Sequence, residues 1–186
     1  MSMKKLSKKM LAVVAAGAMT MGLAMPAFAA EGSTTQDTKN NAKEAYIKKT
    51  YNTEVNKPMK FNFTATQVTT GAYIVTKGLT CTIPSIEFTS DDLNGGEGTY
   101  TKLSDKITFG DLKEAGKYEY TVTESATTEP AITNNDYVKL IMSKAEYKMD
   151  VYVVEKSGAL EIDKILVTKT KNDKGETDST TGKVDI

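Results

Sequence analysis

From Ala45 onward the chain is written with a period of two, and that alternation rules out most folds before any other feature is weighed. Successive side chains of a strand point to opposite faces, so residues two apart share a face. Lys60–Val68 (KFNFTATQV) places Phe61, Phe63 and Ala65 on one side and polar residues on the other. Comparable runs occur at Ala45–Tyr51, Ser85–Thr89, Lys106–Phe109, Lys117–Ser125, Tyr147–Val154 and Leu160–Lys169. Turn residues separate them at Asn56–Pro58, Asp91–Gly98, Ala115–Gly116 and Ser157–Gly158. Short alternating runs bounded by turn residues specify an all-β domain. Its core should hold Ile47, Phe61, Phe63, Tyr118, Tyr120, Val122, Val151 and Val153, which occupy one parity in their strands. One stretch, Asn134–Lys148, competes: Leu140, Ile141, Met142 and Ala145 also fit a helical turn.

Two of these strands carry an ionisable residue on the dry parity. In GKYEYTVTE, Glu124 continues the face of Tyr118, Tyr120 and Val122. In AYIKKTY, Lys49 sits among Ala45, Ile47 and Tyr51, whereas Lys48 points the other way. A buried charge without a partner is costly, so such groups are paired, neutralised by a shifted pKa, or consumed by chemistry. On residue pattern alone, a structural ion pair and a reactive pair both remain open.

The first 29 residues read as a signal peptide. Lys4, Lys5, Lys8 and Lys9 form a basic start, Met10–Ala24 an apolar middle, and Ala27-Phe28-Ala29 a small-residue cleavage site. Residues 30–44 form a polar, flexible leader, and residues 45–186 the folded domain. Removing the four signal lysines from a chain with 24 basic and 24 acidic residues leaves about −4. With no His, Arg or Trp, the composition excludes zinc hydrolases and Ser-His-Asp machinery, and disfavours a basic nucleic-acid surface. No cofactor or metal is expected. Cys81, the one cysteine, cannot form an intrachain disulfide and reads as a small apolar residue. Asp91, Asp92, Asn94 and Glu97 lack EF-hand spacing and read as a solvated turn. Glu124 and Glu129 could pair as glycosidase acids, but no Trp marks a sugar groove.

The GKYEYTVTE strand resembles the Gly-x-Tyr-x-Tyr-x-Val-x-Glu strand of the streptococcal pilin isopeptide-linkage (FctA-like) domains of Gram-positive backbone pilins. YIKKTY resembles that family's first strand, KFNFTATQV its Phe-x-Phe strand, and YKMDVYVVEKSGALEIDKILVTK its late hairpin. The resemblance spans residues 45–186 and implies an immunoglobulin-like β-sandwich that joins a Lys to an Asn by a self-made amide bond. It makes Lys49 the nucleophile and Glu124 the proton shuttle. The family's reactive Asn lies in a final strand reading hydrophobic-x-Phe-Thr-Asn. Val184-Asp185-Ile186 aligns with the start of that strand, so the acceptor Asn is not present in these 186 residues. Asp185 is a poor substitute, because Val184 and Ile186 take the inward parity. Asn172, in a polar stretch, is a poor one too.

These features lead us to expect a secreted structural module of a surface pilus or fibrous adhesin, truncated at its last strand. It would not be an enzyme beyond one intramolecular turnover. Its partners would be other pilin subunits or surface proteins, with sortase and host ligands as further candidates, and without nucleic acid or a membrane span after signal cleavage. A carbohydrate- or matrix-binding adhesin module without a crosslink is the alternative. If the last strand is missing, the sheet edge beside the first strand should be partly unpaired.

Overall fold

The computed structural model describes residues 14–16, 19–23, 42–76, 78–135 and 138–177. The expected cleavage site at Ala27–Ala29, residues 30–41 of the expected leader, and Val184–Ile186 lie outside the described residues.

The two-residue period becomes strand wherever it is strong. In chain order the strands are β1 (Val14–Ala16), β2 (Met19–Leu23), β3 (Ala45–Glu54), β4 (Met59–Val68), β5 (Cys81–Thr82) and β6 (Ile86–Phe88). There follow β7 (Glu97–Leu103), β8 (Thr108–Phe109), β9 (Gly116–Glu129), β10 (Lys139–Ile141), β11 (Glu146–Lys156) and β12 (Ala159–Lys171). The protein is all-β, and among the described residues no helix is long and apolar enough to cross a membrane. The described residues of Asn134–Lys148 form no helical turn: β10 and the start of β11 are extended, and residues 142–145 join them without helix.

Two sheets carry the core. One has the order β12-β11-β9-β4-β6, and the other β2-β3-β7. Their inner faces meet through aromatic rings: Tyr51 of β3 lies 5.3 Å from Phe61 of β4 and 5.3 Å from Phe88 of β6, centroid to centroid. Edge-to-face contacts of this kind favour one packing over its alternatives. Of the expected core, Ile47, Phe61, Tyr118, Tyr120, Val122, Val151 and Val153 are buried. Phe63 is only half-buried. The β4–β9 register shifts between Phe61 and Phe63, and such an irregularity turns the following side chain away from the line of the strand.

Strand β7 was not legible because its period carries no apolar stripe. Its inward residues are Gly98, Tyr100 and Lys102, and its Leu103 is 60 % exposed. The turn before it is specified locally. Gly96 has φ +85°, and a Cβ there would lie 2.6 Å from the Asn56 main-chain nitrogen. Asp92 accepts from the Thr89 amide and hydroxyl, both at 2.7 Å, and pairs with Lys102 at 2.6 Å. These bonds hold its carboxyl down to about 2. Its oxygens thus serve the turn itself.

The edge beside the first strand is occupied, which corrects the expectation of an unpaired edge. β2 runs antiparallel along β3, with Met19 opposite Lys49, Met21 opposite Ile47 and Leu23 opposite Ala45. Met19 and Met21 share the inward parity and are fully buried. An unpaired edge is a row of donors and acceptors, and β2 covers it with Met19 and Met21 turned inward. The leader's last residues are also docked. Ala42 is buried and accepts from the Ile165 amide, while Glu44 pairs with Lys106.

Candidate functional site

Strand parity brings Lys49 and Glu124 to one point between the sheets. Lys49 enters from the centre of β3, beside Ile47 and Tyr51, and Glu124 from β9, beyond Val122. Lys49 Nζ lies 2.6 Å from Glu124 Oε1, and both side chains are 0 % exposed. Lys48 faces outward and is exposed. The Lys49 ammonium position is 4.4 Å from the centroid of the Phe61 ring, which forms one wall.

The contact is close but poorly aligned. Neither Lys49 Nζ nor Glu124 Oε1 makes a well-directed hydrogen bond among the described residues, despite their 2.6 Å separation. The other carboxylate oxygen, Oε2, accepts from the Ser143 amide at 3.1 Å. Burial drives the Lys49 pKa down and the Glu124 pKa up, and in each case the partner's charge pulls partway back. Desolvation leads both shifts, so the pair is pushed toward neutral amine and protonated acid. An ammonium cannot attack a carbonyl, whereas a desolvated amine can.

Two further residues complete the cluster, and neither was identifiable from its place in the sequence. Ser143 lies in the irregular segment before β11. Its amide holds Glu124, and its hydroxyl donates to Asp173 Oδ1. Asp173, in the polar turn after β12, also accepts from the Met19 amide at 3.3 Å. Its negative charge favours the protonated form of both Lys49 and Glu124. Nothing distinguishes Asp173 from its neighbours in KNDKGET; only the fold turns it inward. Asn172 beside it is committed elsewhere: its Nδ2 donates to Glu176, and its Oδ1 accepts from the Lys174 and Glu176 amides.

Met19 of β2 stands directly opposite Lys49 in the register and is fully buried. Glu124 also lines a cavity of about 490 Å³, together with Thr123, Asn134, Leu140, Met142 and Ser143. Glu129 is remote in character from Glu124: it is exposed and bonded to Lys60 and Asn62, both surface residues of β4. The two carboxyls therefore do not share a cleft lining. Cys81 in β5 packs against the core, and burial pushes its thiol up to about 12. That agrees with a small apolar role and not with a thiolate nucleophile.

No protein-family model matches the sequence, and no curated protein matches it closely enough to count as a relative.

Proposed function

We propose that the protein is a structural module of a Gram-positive surface pilus or fibrous adhesin, an immunoglobulin-like sandwich stabilised by a self-formed Lys–Asn amide bond. The observation that carries this reading is the Lys49–Glu124 pair, 2.6 Å apart, wholly buried, and pushed toward neutrality on both sides. A structural ion pair gains little from such a place, because desolvation offsets most of the attraction. A nucleophile and its proton shuttle require it.

In the reaction, the Lys49 amine attacks the side-chain carbonyl carbon of an Asn brought against it by a further strand. Glu124, protonated, hydrogen-bonds the carbonyl oxygen while keeping its proton, and then passes that proton to the departing nitrogen. It takes back the proton that Lys49 sheds and ends as it began. One C–N bond forms, one breaks, and ammonia leaves; the cavity beside Glu124 gives it a path outward. Closing a loop of more than a hundred residues would stabilise the fold by about 5 kcal/mol by the chain-entropy argument used for disulfides. Such a bond would supply what disulfides supply elsewhere in secreted domains, and Cys81 alone cannot.

Intact-mass measurement of the protein recovered from the cell surface tests the reading. It should weigh one ammonia less than its sequence, and neither Lys49→Ala nor Glu124→Ala should show that loss. A native protein of unreduced mass would leave only a buried ion pair.

A further inference from the structure

Glu124 is tied to the rest of the fold by a short chain of bonds that joins two segments distant in sequence. Its Oε2 accepts from the Ser143 amide at 3.1 Å, which leaves Oε1 to face Lys49. Ser143 is buried, and its hydroxyl is engaged twice: it accepts from the Ala145 amide at 3.1 Å and donates to Asp173 Oδ1. A second bond runs beside this one, from the Lys144 amide to the Asp173 carbonyl at 2.9 Å. Residues 143–145 belong to no strand, so these bonds to the turn after β12 take the place of a ladder. That turn is shaped to fit. Asn172 Oδ1 accepts from the Lys174 and Glu176 amides, and Gly175 has φ +84°, where a Cβ would lie 3.3 Å from Lys144 Cβ. Two other groups face Asp173. Lys169 Nζ stands 3.7 Å from Oδ2, and the Met19 amide donates to Oδ1 at 3.3 Å.

We infer that Ser143 and Asp173 are a closure checkpoint for the reaction proposed above: the Glu124 carboxyl is aimed at Lys49 only once the turn after β12 has docked on residues 143–145. This rests on that reaction and adds what regulates it. Both are positioning residues, acting through the Glu124 carboxyl. A carboxyl rotates about its last bond; with Oε2 tied to the Ser143 amide, Oε1 is kept within reach of the amine. The Ser143 hydroxyl spends its proton on Asp173 and accepts from Ala145, so the segment that holds Glu124 is itself held on both sides. The Asp173 charge, tempered by Lys169, has a second effect. It favours the proton-bearing forms of Lys49 and Glu124, and so keeps in the site the proton that departing ammonia requires. An amide bond made before the β11–β12 end had closed would lock an unfinished packing in place, and the checkpoint prevents that.

The test follows the rate of ammonia loss in the native protein, pulse-labelled in its own cells, recovered from the surface at intervals and weighed intact. Ser143→Ala and Asp173→Ala break the link and should slow the loss by about tenfold or more. Ser143→Thr and Asp173→Asn keep a hydroxyl and an acceptor in place and should retain most of the rate. A second measurement needs no reaction. In the 186-residue chain with carbon-13 in its glutamate carboxyls, the Glu124 resonance should titrate at lower pH in Asp173→Asn than in the unsubstituted chain, because the charge that favours its protonated form is gone. Unslowed loss in both alanine variants would overturn the checkpoint while leaving the reaction standing. Equal slowing of all four variants would overturn it too, since packing and not the bond would then set the rate. An unchanged titration would overturn the part assigned to the Asp173 charge. No ammonia loss from the unsubstituted native protein would overturn the reaction, and the checkpoint with it.

Discussion

Removing the Glu124 carboxyl while leaving Lys49 in place should make stability depend steeply on pH, in a range where the unaltered chain is insensitive. In the native pair the folded state holds one proton, which burial pushes from the amine toward the acid. The unfolded chain near neutrality also holds one, as ammonium and carboxylate. Taken alone, the lowered Lys49 pKa makes stability fall as pH drops, and the raised Glu124 pKa makes it fall as pH rises. The two cancel between the ordinary carboxyl range near about 4.3 and the ordinary lysine range near about 10.4. In Glu124→Ala only the lysine remains, 0 % exposed before the change. The folded state must then release a proton that the unfolded state keeps. At pH 7 that costs up to about 4–5 kcal/mol, and the cost shrinks by about 1.4 kcal/mol per pH unit as pH rises toward 10. Urea unfolding followed by far-UV circular dichroism measures it, the absence of Trp making fluorescence a weaker probe. The midpoint of Glu124→Ala should climb steadily from pH 6 to 9 while that of the unaltered chain stays level. Replacing both residues by apolar ones, Lys49→Met with Glu124→Leu, should remove the slope and recover most of the stability. A level profile for Glu124→Ala would refute the reasoning, since it would mean that Lys49 keeps its charge by reaching water.

Other consequences are smaller in scale. Lys48→Ala, on the exposed parity of the same strand, should shift stability by less than about 0.5 kcal/mol. Tyr120→Phe deletes the buried hydroxyl that donates to the Leu79 carbonyl at 2.7 Å, and should cost about 1–2 kcal/mol in urea unfolding. Tyr147→Phe should weaken exchange protection at Tyr46 and Lys48 in the uncleaved chain while leaving the β9–β11 amides protected, because its hydroxyl bonds β2. Cys81, with its thiol pushed up to about 12, should react with iodoacetamide at pH 8 only as fast as the chain opens, and rapidly in denaturant.

How far the sequence determined the outcome depends on whether a residue's role follows from its own strand. Parity is a property of the backbone, so Lys49 inward, Lys48 outward and Glu124 on the face of Val122 could be read without knowing any neighbour. The same rule identified the strands with an apolar stripe and most of the core. It was silent on β7, whose inward side presents Gly98, Tyr100 and Lys102 and finds its partners in β6 and the turn that follows it. It was silent too on Ser143 and Asp173. Their polar side chains suit a surface turn equally well, and they acquire a role only because the segments around β11 and β12 converge on the pair. Nor could it show that β2 would pair along β3. Pairing between strands is decided by which edge is free and which segment can reach it, and that choice belongs to the assembled fold. Alternation along one strand fixes which way a side chain points; only the tertiary structure decides what it meets there.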